Sequence, residues 1–526
     1  MRGLDLRLGI DVGGTNTDAV VLDRDGTLLA RAKVPTTADV TAGIRNVIEA
    51  ILGEDVASHV PGAVAVQRLT HVMLGTTHAT NAVLERRKLN RVAVLRIGSP
   101  ATLGVRPLFG WPTDLRDAVS GGEAIVRGGI EFDGRDLVAF DPDETRRFLA
   151  GVAGKVDAVA ISSVFAPVSD RHELEAAEIA RAELGDDVHL SLSHEIGSVG
   201  LLERENATVL NGALVDVARE VAGALDGALA VHGIEAQTFF AQNDGTLMAL
   251  EFALRYPVLT IGSGPANSMR GAAYLTGATD ALVADVGGTS TDVGVLAHGF
   301  PRESSAGVEI GGVRTNFRMP DILSIALGGG TVVGGSNGVV TVGPTSVGYR
   351  LQEEALVFGG STLTITDAAV AGGRAEIGNA AAVDAHRGVL ERALERADDL
   401  LADAIDRVKL VRGDRPLIVV GGGSVVVSDR LPGVSEVLRA PHADVANAIG
   451  AAIAAVSGQV DRIFHPGPGG RDAVLEQACT EAREQAIRAG AQPDAVEIVE
   501  LDEIPLAYVT NYATRIRAKA AGPLAV

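Results

Sequence analysis

The chain of 526 residues has one cysteine, Cys479. It can form neither an internal disulfide nor a cysteine-built metal cage, which fits a reducing compartment. Its eleven histidines contain no His-Glu-x-x-His pair and no close cluster, so a structural or hydrolytic zinc site has little support. Ser263, in Gly262-Ser-Gly264, does not fit the nucleophile elbow Gly-x-Ser-x-Gly. Basic residues are outnumbered, 46 Lys and Arg against 67 Asp and Glu, and the net charge of −21 would repel nucleic acid and anionic membranes. Apolar runs such as Ala446 to Val456 fall short of the roughly 18 to 20 residues of a membrane span. The start, Met1-Arg2-Gly3-Leu4-Asp5, lacks an apolar signal core. The expectation is a soluble, cytoplasmic protein with no nucleic-acid or membrane partner.

Aromatics are also scarce, with twelve Phe, five Tyr and one Trp, whereas glycine is in surplus at 64. An average chain of this length carries roughly 37 glycines. The clusters have no three-residue period, so this is not collagen. The surplus implies positive-φ turns or close approaches of backbone to a ligand. With 46% hydrophobic residues, the chain can bury a large core.

The strongest organisational signal is a long-range repeat. Asp11-Val-Gly-Gly-Thr-Asn-Thr-Asp18 returns as Asp285-Val-Gly-Gly-Thr-Ser-Thr-Asp292, identical at seven of eight positions and 274 residues on. So long a period points to two similar domains rather than a solenoid. Each copy follows an apolar run and leads into another, as Leu8-Gly9-Ile10 and Ala19 to Leu22 do around the first. That is strand, glycine hairpin, strand; a Walker loop or dinucleotide fingerprint would lead into a helix.

Elsewhere strands and helices alternate, which argues for α/β layers. The pattern predicts a helix from about 78 to 88 capped by Thr76-Thr77, strands at 92–97 and 156–164, and a helix at about 384–411. It also predicts a buried strand at 417–420, a small-residue helix at 444–456, and tail strands at 497–501 and 504–509. Residues 100–150, with Pro107, Pro112, Gly121-Gly122, Gly128-Gly129 and the lone Trp111, read as an inserted loop or small subdomain, and those glycine pairs as ordinary turns.

The hairpins carry the chemistry. Without side chains at Gly13, Gly14, Gly287 and Gly288, successive backbone N–H groups can turn toward one anion, with hydroxyls from Thr15, Thr17, Thr289 and Thr291 at the rim. Asp11 and Asp285, at strand ends just before the cradles, are placed to hold Mg²⁺ or its water against a polyphosphate. Asp18 and Asp292, across the turn, are second candidates. A single copy reads first as a tight hairpin with an Asp-capped turn; two near-identical copies reverse that preference and favour phosphate binding. Gly328-Gly329-Gly330 and Gly421-Gly422-Gly423-Ser424 are nucleotide-contact loops or strand-to-helix turns. Thr76, Thr77 and Asn81 form an anion or substrate site or an ordinary helix cap.

Paired hairpins of this kind resemble the actin, heat-shock chaperone and sugar kinase superfamily. The chain is similar, more specifically, to the nucleotide-binding subunit of the ATP-dependent hydantoinase/oxoprolinase family. The matching stretches are Asp11 to Asp18, Gly75-Thr-Thr-His-Ala-Thr-Asn-Ala-Val-Leu-Glu-Arg86, Ser191-Leu-Ser-His-Glu195, Glu203-Arg-Glu-Asn-Ala-Thr-Val-Leu-Asn211, Gln242-Asn-Asp-Gly245, Ser263-Gly-Pro265, Asp285 to Asp292 and Leu327-Gly-Gly-Gly330. After Gly343-Pro344 the chain has Val347-Gly-Tyr-Arg-Leu351 where longer family members carry Pro-Gly-Pro-Ala-Cys-Tyr-Gly, and no region resembles the family's second, partner subunit.

The resemblance implies an α/β fold of two duplicated ribonuclease H-like domains, the actin-like ATPase fold, with an insertion near 100–150 and a C-terminal extension. The expected division is 1–278, 279–460 and 461–526. It implies ATP and Mg²⁺ as cofactors, catalysis and metal binding by Asp11 and Asp285, and adenosine at Gly421 to Ser424. It further implies a cyclic amide substrate, a partner chain like the family's second subunit, and an oligomer. The alternatives are a reactivating chaperone and a ketone-phosphorylating component of a carboxylase.

Overall fold

The computed structural model describes residues 6–36, 40–53, 68–197, 199–304, 307–316, 319–336, 339–466, 470–506 and 513–525. The repeat appears in it as two sheets of one topology. In the first, β1 (Leu6–Val12), β2 (Asn16–Leu22) and β3 (Leu28–Pro35) form an antiparallel meander, and β1 continues in parallel to β4 (Leu69–Thr76) and β5 (Gln237–Ala241). In the second, β6 (Leu282–Val286) pairs antiparallel with β7 (Thr291–Ala297), which pairs with β8 (Phe300–Pro301). From β6 the sheet runs in parallel to β9 (Arg415–Val420) and β10 (Val434–Leu438). Numbered within each copy, both sheets have the order 3-2-1-4-5, the ribonuclease H-like arrangement. The first sheet extends beyond β5 through Leu247–Ala249, Val456–Phe464, Thr514–Gly522 and Glu497–Pro505, so the end of the chain closes the sheet that its beginning opens.

The stretch 100–150 is more regular than a loop. Its strand Ser120–Arg127 edges a four-stranded parallel sheet with Val92–Ser99, Ala158–Ser163 and His189–Leu192. Helix Pro142–Val152 is capped by Asp141, whose carboxylate accepts from the N–H groups of Asp143 and Glu144. Gly121 and Gly122 lie inside that strand rather than in a turn; a Cβ on Gly121 would sit 2.3 Å from Val156.

This sheet is tied to the helix Leu201–Ala213 through a buried ion pair. The Arg96 guanidinium donates to both oxygens of Glu205, at 2.7 and 2.6 Å, and Ser162 donates to the same carboxylate at 3.0 Å. Neither charged side chain has appreciable exposure, so removing one leaves the other buried and uncompensated. Arg96→Met is therefore expected to destabilise the protein by about 3–5 kcal/mol, read as a shift in urea midpoint. A midpoint unchanged from wild type would contradict this.

Two helices carry the chain between the duplicated sheets. The first, α1 (Ser263–Thr276), enters β6; the second, α2 (Ala446–Ile453), returns from β10 to Val456–Phe464. They cross at glycines. A Cβ on Gly271 would lie 1.8 Å from the Ala446 carbonyl oxygen, and one on Gly450 would lie 1.8 Å from that of Asn267. No other residue permits backbones to approach so closely.

The predicted helix at 78 ends earlier than its pattern suggests, at Glu85, because Arg86 adopts a left-handed conformation and donates to the Gly311 carbonyl and Asp114. The helix at 384–411 is an α-helix over Arg387–Lys409 entered through a 3-10 turn. The expected tail strands merge into Glu497–Pro505, and 507–509 lie outside the described residues. Among the described residues no helix is long and apolar enough to cross a membrane.

Candidate functional site

The antiparallel register sets each pair of aspartates side by side. Asp11 lies opposite Asp18 across β1 and β2, and Asp285 lies opposite Asp292 across β6 and β7. Between them the chain turns tightly in the same way twice: the Gly13 N–H donates to the Asn16 carbonyl at 3.0 Å, and the Gly287 N–H to that of Ser290 at 2.9 Å. None of Gly13, Gly14, Gly287 and Gly288 has a positive φ, so backbone strain is not their reason. Gly14 lines the cleft, and a Cβ there would meet nothing within 4 Å, so packing is not its reason either.

The two hairpins face each other. A Cβ on Gly288 would come within 3.8 Å of the Thr15 methyl group across the gap. The cleft of about 540 Å³ between them is lined by Asp11, Gly13, Gly14, Thr15 and Asp18 of one copy and by Asp285, Gly287, Gly288, Thr289 and Asp292 of the other. Thr76, Thr77, Asn81, Gly421 and Gly422 also reach it. The remaining candidates stand behind this wall. Thr17 bonds Thr36, and Thr291 donates to the Leu327 carbonyl. The N–H groups of Gly329 and Gly330 are given to the carbonyls of Gly287 and Gly288, at 3.0 and 2.7 Å, so 328–330 brace the second hairpin. Gly423 likewise donates to the Val286 carbonyl, and Ser424 begins a 3-10 turn.

Asp11 and Asp285 each have a glycine beside them, Gly75 in the parallel strand β4 and Gly421 just past the end of β9. A Cβ on Gly75 would stand 2.3 Å from the Asp11 carboxylate, and one on Gly421 2.4 Å from that of Asp285. The chain beside each hairpin strand is thus kept bare where the carboxylate needs room.

The crossing helices supply partners that the sequence motifs did not single out. Asn267 and Ser268 are consecutive on α1: the Asn267 amide donates to Asp11 at 3.4 Å, and Ser268 bonds Asp285. One Asn447 amide group, on α2, bridges the other pair, at 3.0 Å to Asp11 and 2.9 Å to Asp18. Lys33 of β3 completes the cluster, 2.5 Å from Asp18. A helix residue paired with a strand residue hundreds of positions away leaves no local signal; only the register of Lys33 opposite Asp18 was open to inference.

Burial in this wall pushes the Asp11 carboxyl up to about 6, aided by the negative charge of Asp18 and opposed by Asn267, Asn447 and Lys33. Withdrawal from solvent pushes Asp285 to about 6 as well, against the hydrogen bond from Ser268 and with Asp292 and Asp11 adding to the rise. Asp18 and Asp292 are raised for the same primary reason. A carboxyl raised from 3.8 binds its proton more tightly folded than unfolded, so its stabilising contribution, full below pH 4, is lost as pH climbs through 6. For Asp11 alone the loss is about 3 kcal/mol. An Asp11→Asn, Asp285→Asn double variant without nucleotide or divalent ions should therefore be more resistant to urea than wild type at pH 7.5, with the gap closing by pH 4. A gap that stayed constant with pH would contradict the carboxyl shifts.

Chemically, the cleft offers backbone donors and hydroxyls for anionic oxygens, and carboxylates with no protein cage around them. Among the described residues no group of three or more His, Cys, Asp and Glu side chains gathers as a metal centre. That donor set suits Mg²⁺, which keeps several waters and is commonly shared between one or two carboxylates and phosphate oxygens.

Residues 7–184 match the model described as hydantoinase/oxoprolinase N-terminal region, and residues 204–379 match that described as hydantoinase/oxoprolinase. The chain is 27% identical over 464 residues to the caprolactamase alpha subunit of Pseudomonas jessenii, an alignment covering 79% of this chain and 65% of that protein. It is 28% identical to the acetophenone carboxylase gamma subunit of Aromatoleum aromaticum, with coverages of 85% and 67%. With the 5-oxoprolinase of Saccharomyces cerevisiae it shares 27% identity over 69% of this chain, which spans only 31% of that much longer protein. The solved structure of the ATP-dependent caprolactamase from P. jessenii superimposes with a TM-score of 0.76 at 21% identity, covering 99% of this chain and 88% of that one. Nucleotide-free acetone carboxylase gives 0.68 at 17%, covering 100% and 88%. At these identities the structures establish the shared fold.

Proposed function

The chain belongs to the hydantoinase/oxoprolinase family, and from that premise we propose that it is an ATP-dependent hydrolase that opens a cyclic amide of the hydantoin, oxoproline or lactam type. The observation that carries this reading is the pair of Asp-Val-Gly-Gly-Thr hairpins facing one another across a single cleft, which suits a polyphosphate gripped from both sides. Relatives named as ATP-dependent caprolactamase and 5-oxoprolinase support the chemistry.

In the proposed reaction the amide oxygen attacks the γ-phosphorus of ATP. The bond from that phosphorus to the bridging oxygen breaks, and ADP leaves. A first water then adds to the activated ring carbon and the ring C–N bond breaks, the nitrogen taking a proton, to leave an acyl phosphate. A second water cleaves that to carboxylate and inorganic phosphate, giving an amino acid from a lactam or oxoproline and an N-carbamoyl amino acid from a hydantoin. Mg²⁺ held in the cleft by the aspartates that line it, Asp285 among them, would neutralise charge on the phosphoryl oxygens. The backbone N–H groups of 14–15 and 288–289 hold those oxygens, those of Gly13 and Gly287 being taken by the turns themselves. Gly421 and Gly422 leave room beside the nucleotide, and Thr76, Thr77 and Asn81 present hydroxyls and an amide toward the ring. The structural bases for the last two roles are their places in the cleft wall.

Two relatives are named as parts of larger enzymes, the alpha chain of caprolactamase and the gamma chain of acetophenone carboxylase, which supports a partner chain here. ATP turnover should therefore be measured with a partner chain of the family's second-subunit type, with and without hydantoin, 5-oxoproline or caprolactam. Stimulation by a cyclic amide is expected; no stimulation by any would overturn the substrate assignment. The carboxylase relative, aligned over 85% of this chain, favours one second reading, phosphorylation of a ketone enolate. Turnover that depended on bicarbonate and a ketone would select it.

A further inference from the structure

The duplicated hairpins extend into rows of three residues lying directly opposite one another, and the rows differ at the third place. In the first sheet the row is Asp11, Asp18 and Lys33 across β1, β2 and β3. In the second it is Asp285, Asp292 and Ser324 across β6, β7 and the strand Ile322–Ile325. A cation closes one row and a hydroxyl closes the other.

The difference alters what each row offers a ligand. In the first, every carboxylate oxygen has a polar partner: Asp11 accepts from Asn267 and Asn447, and Asp18 accepts from Asn447 and is ion-paired with Lys33. Lys33 itself reaches the cleft. In the second, Asp285 accepts from Ser268 and Asp292 from the Ser324 hydroxyl. Among the described residues no Lys, Arg or His forms an ion pair with either, and both line the cleft. With all carboxyls ionised the first row carries one net negative charge and the second carries two.

We propose that the divalent cation accompanying the nucleotide is held on the second row, by Asp285 and Asp292, while the first row presents Lys33 and its backbone N–H groups directly to phosphate oxygens. The assignment rests on the nucleotide reading given above and deepens it: the two aspartate pairs, nearly identical in sequence, divide the work. An ammonium group beside a carboxylate pair repels a second cation, and the same group beside a polyphosphate attracts it.

The test uses Mn²⁺ as the probe, followed by electron paramagnetic resonance with saturating ADP, alongside calorimetry of ADP in chelator without metal. Ser324 is exposed, so Ser324→Lys adds a long side chain without displacing core. It should weaken Mn²⁺ by at least about tenfold, as expected for a unit charge placed within a few ångströms of the site. Lys33→Ser should leave Mn²⁺ within about twofold of wild type and weaken metal-free ADP by about tenfold, the scale of one lost charge-assisted contact. Asp292→Asn and Asp18→Asn give the same comparison with isosteric changes, should Ser324→Lys fail to fold: the former is expected to weaken Mn²⁺ far more. ADP bound normally, with Mn²⁺ indifferent to Asp292→Asn or lost in Asp18→Asn, would overturn the division of roles alone. Wild-type protein that bound neither ADP nor Mn²⁺ would overturn the nucleotide reading together with it.

Discussion

Replacing Asp285 by asparagine is expected to cut ATP turnover by at least about a thousandfold while leaving the protein folded and, without nucleotide at neutral pH, more stable than wild type. The two effects have one cause. Burial withdraws the Asp285 carboxylate from solvent, the negative charges of Asp292 and Asp11 add to the effect, and its proton affinity is raised accordingly. Removing the charge relieves that cost. When phosphates and a divalent ion are present the same charge is needed, because it offsets positive charge at the point where the phosphoryl group transfers. The amide keeps the shape and can still meet Ser268. A structural aspartate would behave the other way, losing stability on substitution. Steady-state ATP turnover and urea denaturation on one preparation check both halves, and turnover within tenfold of wild type would remove Asp285 from the site.

The second large effect is on the crossing of the two helices. Gly450→Val should destabilise the protein by about 3 kcal/mol or more, because the new side chain has no rotamer that avoids the opposing backbone. Its Cβ would fall 1.8 Å from the Asn267 carbonyl oxygen, 2.6 Å from the carbonyl carbon and 2.9 Å from the Gly271 nitrogen. Backbone atoms cannot rotate away, so α1 and α2 must separate. Separation would also draw Asn267 and Asn447 off Asp11, so any folded fraction should bind nucleotide poorly. Gly223→Ala is the control. Gly223 lies inside helix Val215–Val231 with nothing within 4 Å of its Cβ position, and alanine there should stabilise by about 0.5–1 kcal/mol. Equal urea midpoints for the two variants would contradict the packing argument.

What could be read from the sequence was whatever a local pattern specifies. Asp11 to Asp18 and Asp285 to Asp292 are hairpins because apolar runs flank a glycine turn, and repetition within one chain favours a phosphate cradle over an ordinary turn. The long helix Arg387–Lys409 was legible from its apolar spacing. The strand Thr514–Gly522 was overlooked although Arg515, Arg517 and Lys519 alternate with Ile516, Ala518 and Ala520, a clear period of two. Gly328 to Gly330 shows the limit of motif reading. Its composition is that of a ligand loop, yet the N–H groups of Gly329 and Gly330 are consumed by the hairpin it supports and that of Gly328 by the Thr331 hydroxyl, which depends on contacts made in space. Asn267, Ser268 and Asn447 lay out of reach for the same reason: their partners are set by how two helices cross, and glycines far apart in sequence set that crossing.

The central claim is that the two hairpins jointly bind a magnesium nucleotide. Titration calorimetry of Mg·ATP into wild type and into a folded Asp11→Ala, Asp285→Ala double variant tests it most directly. The account predicts one site per chain in wild type and at least about hundredfold weaker binding in the variant, the scale of losing two charged contacts. No binding to wild type, or undiminished binding to the variant, would contradict it.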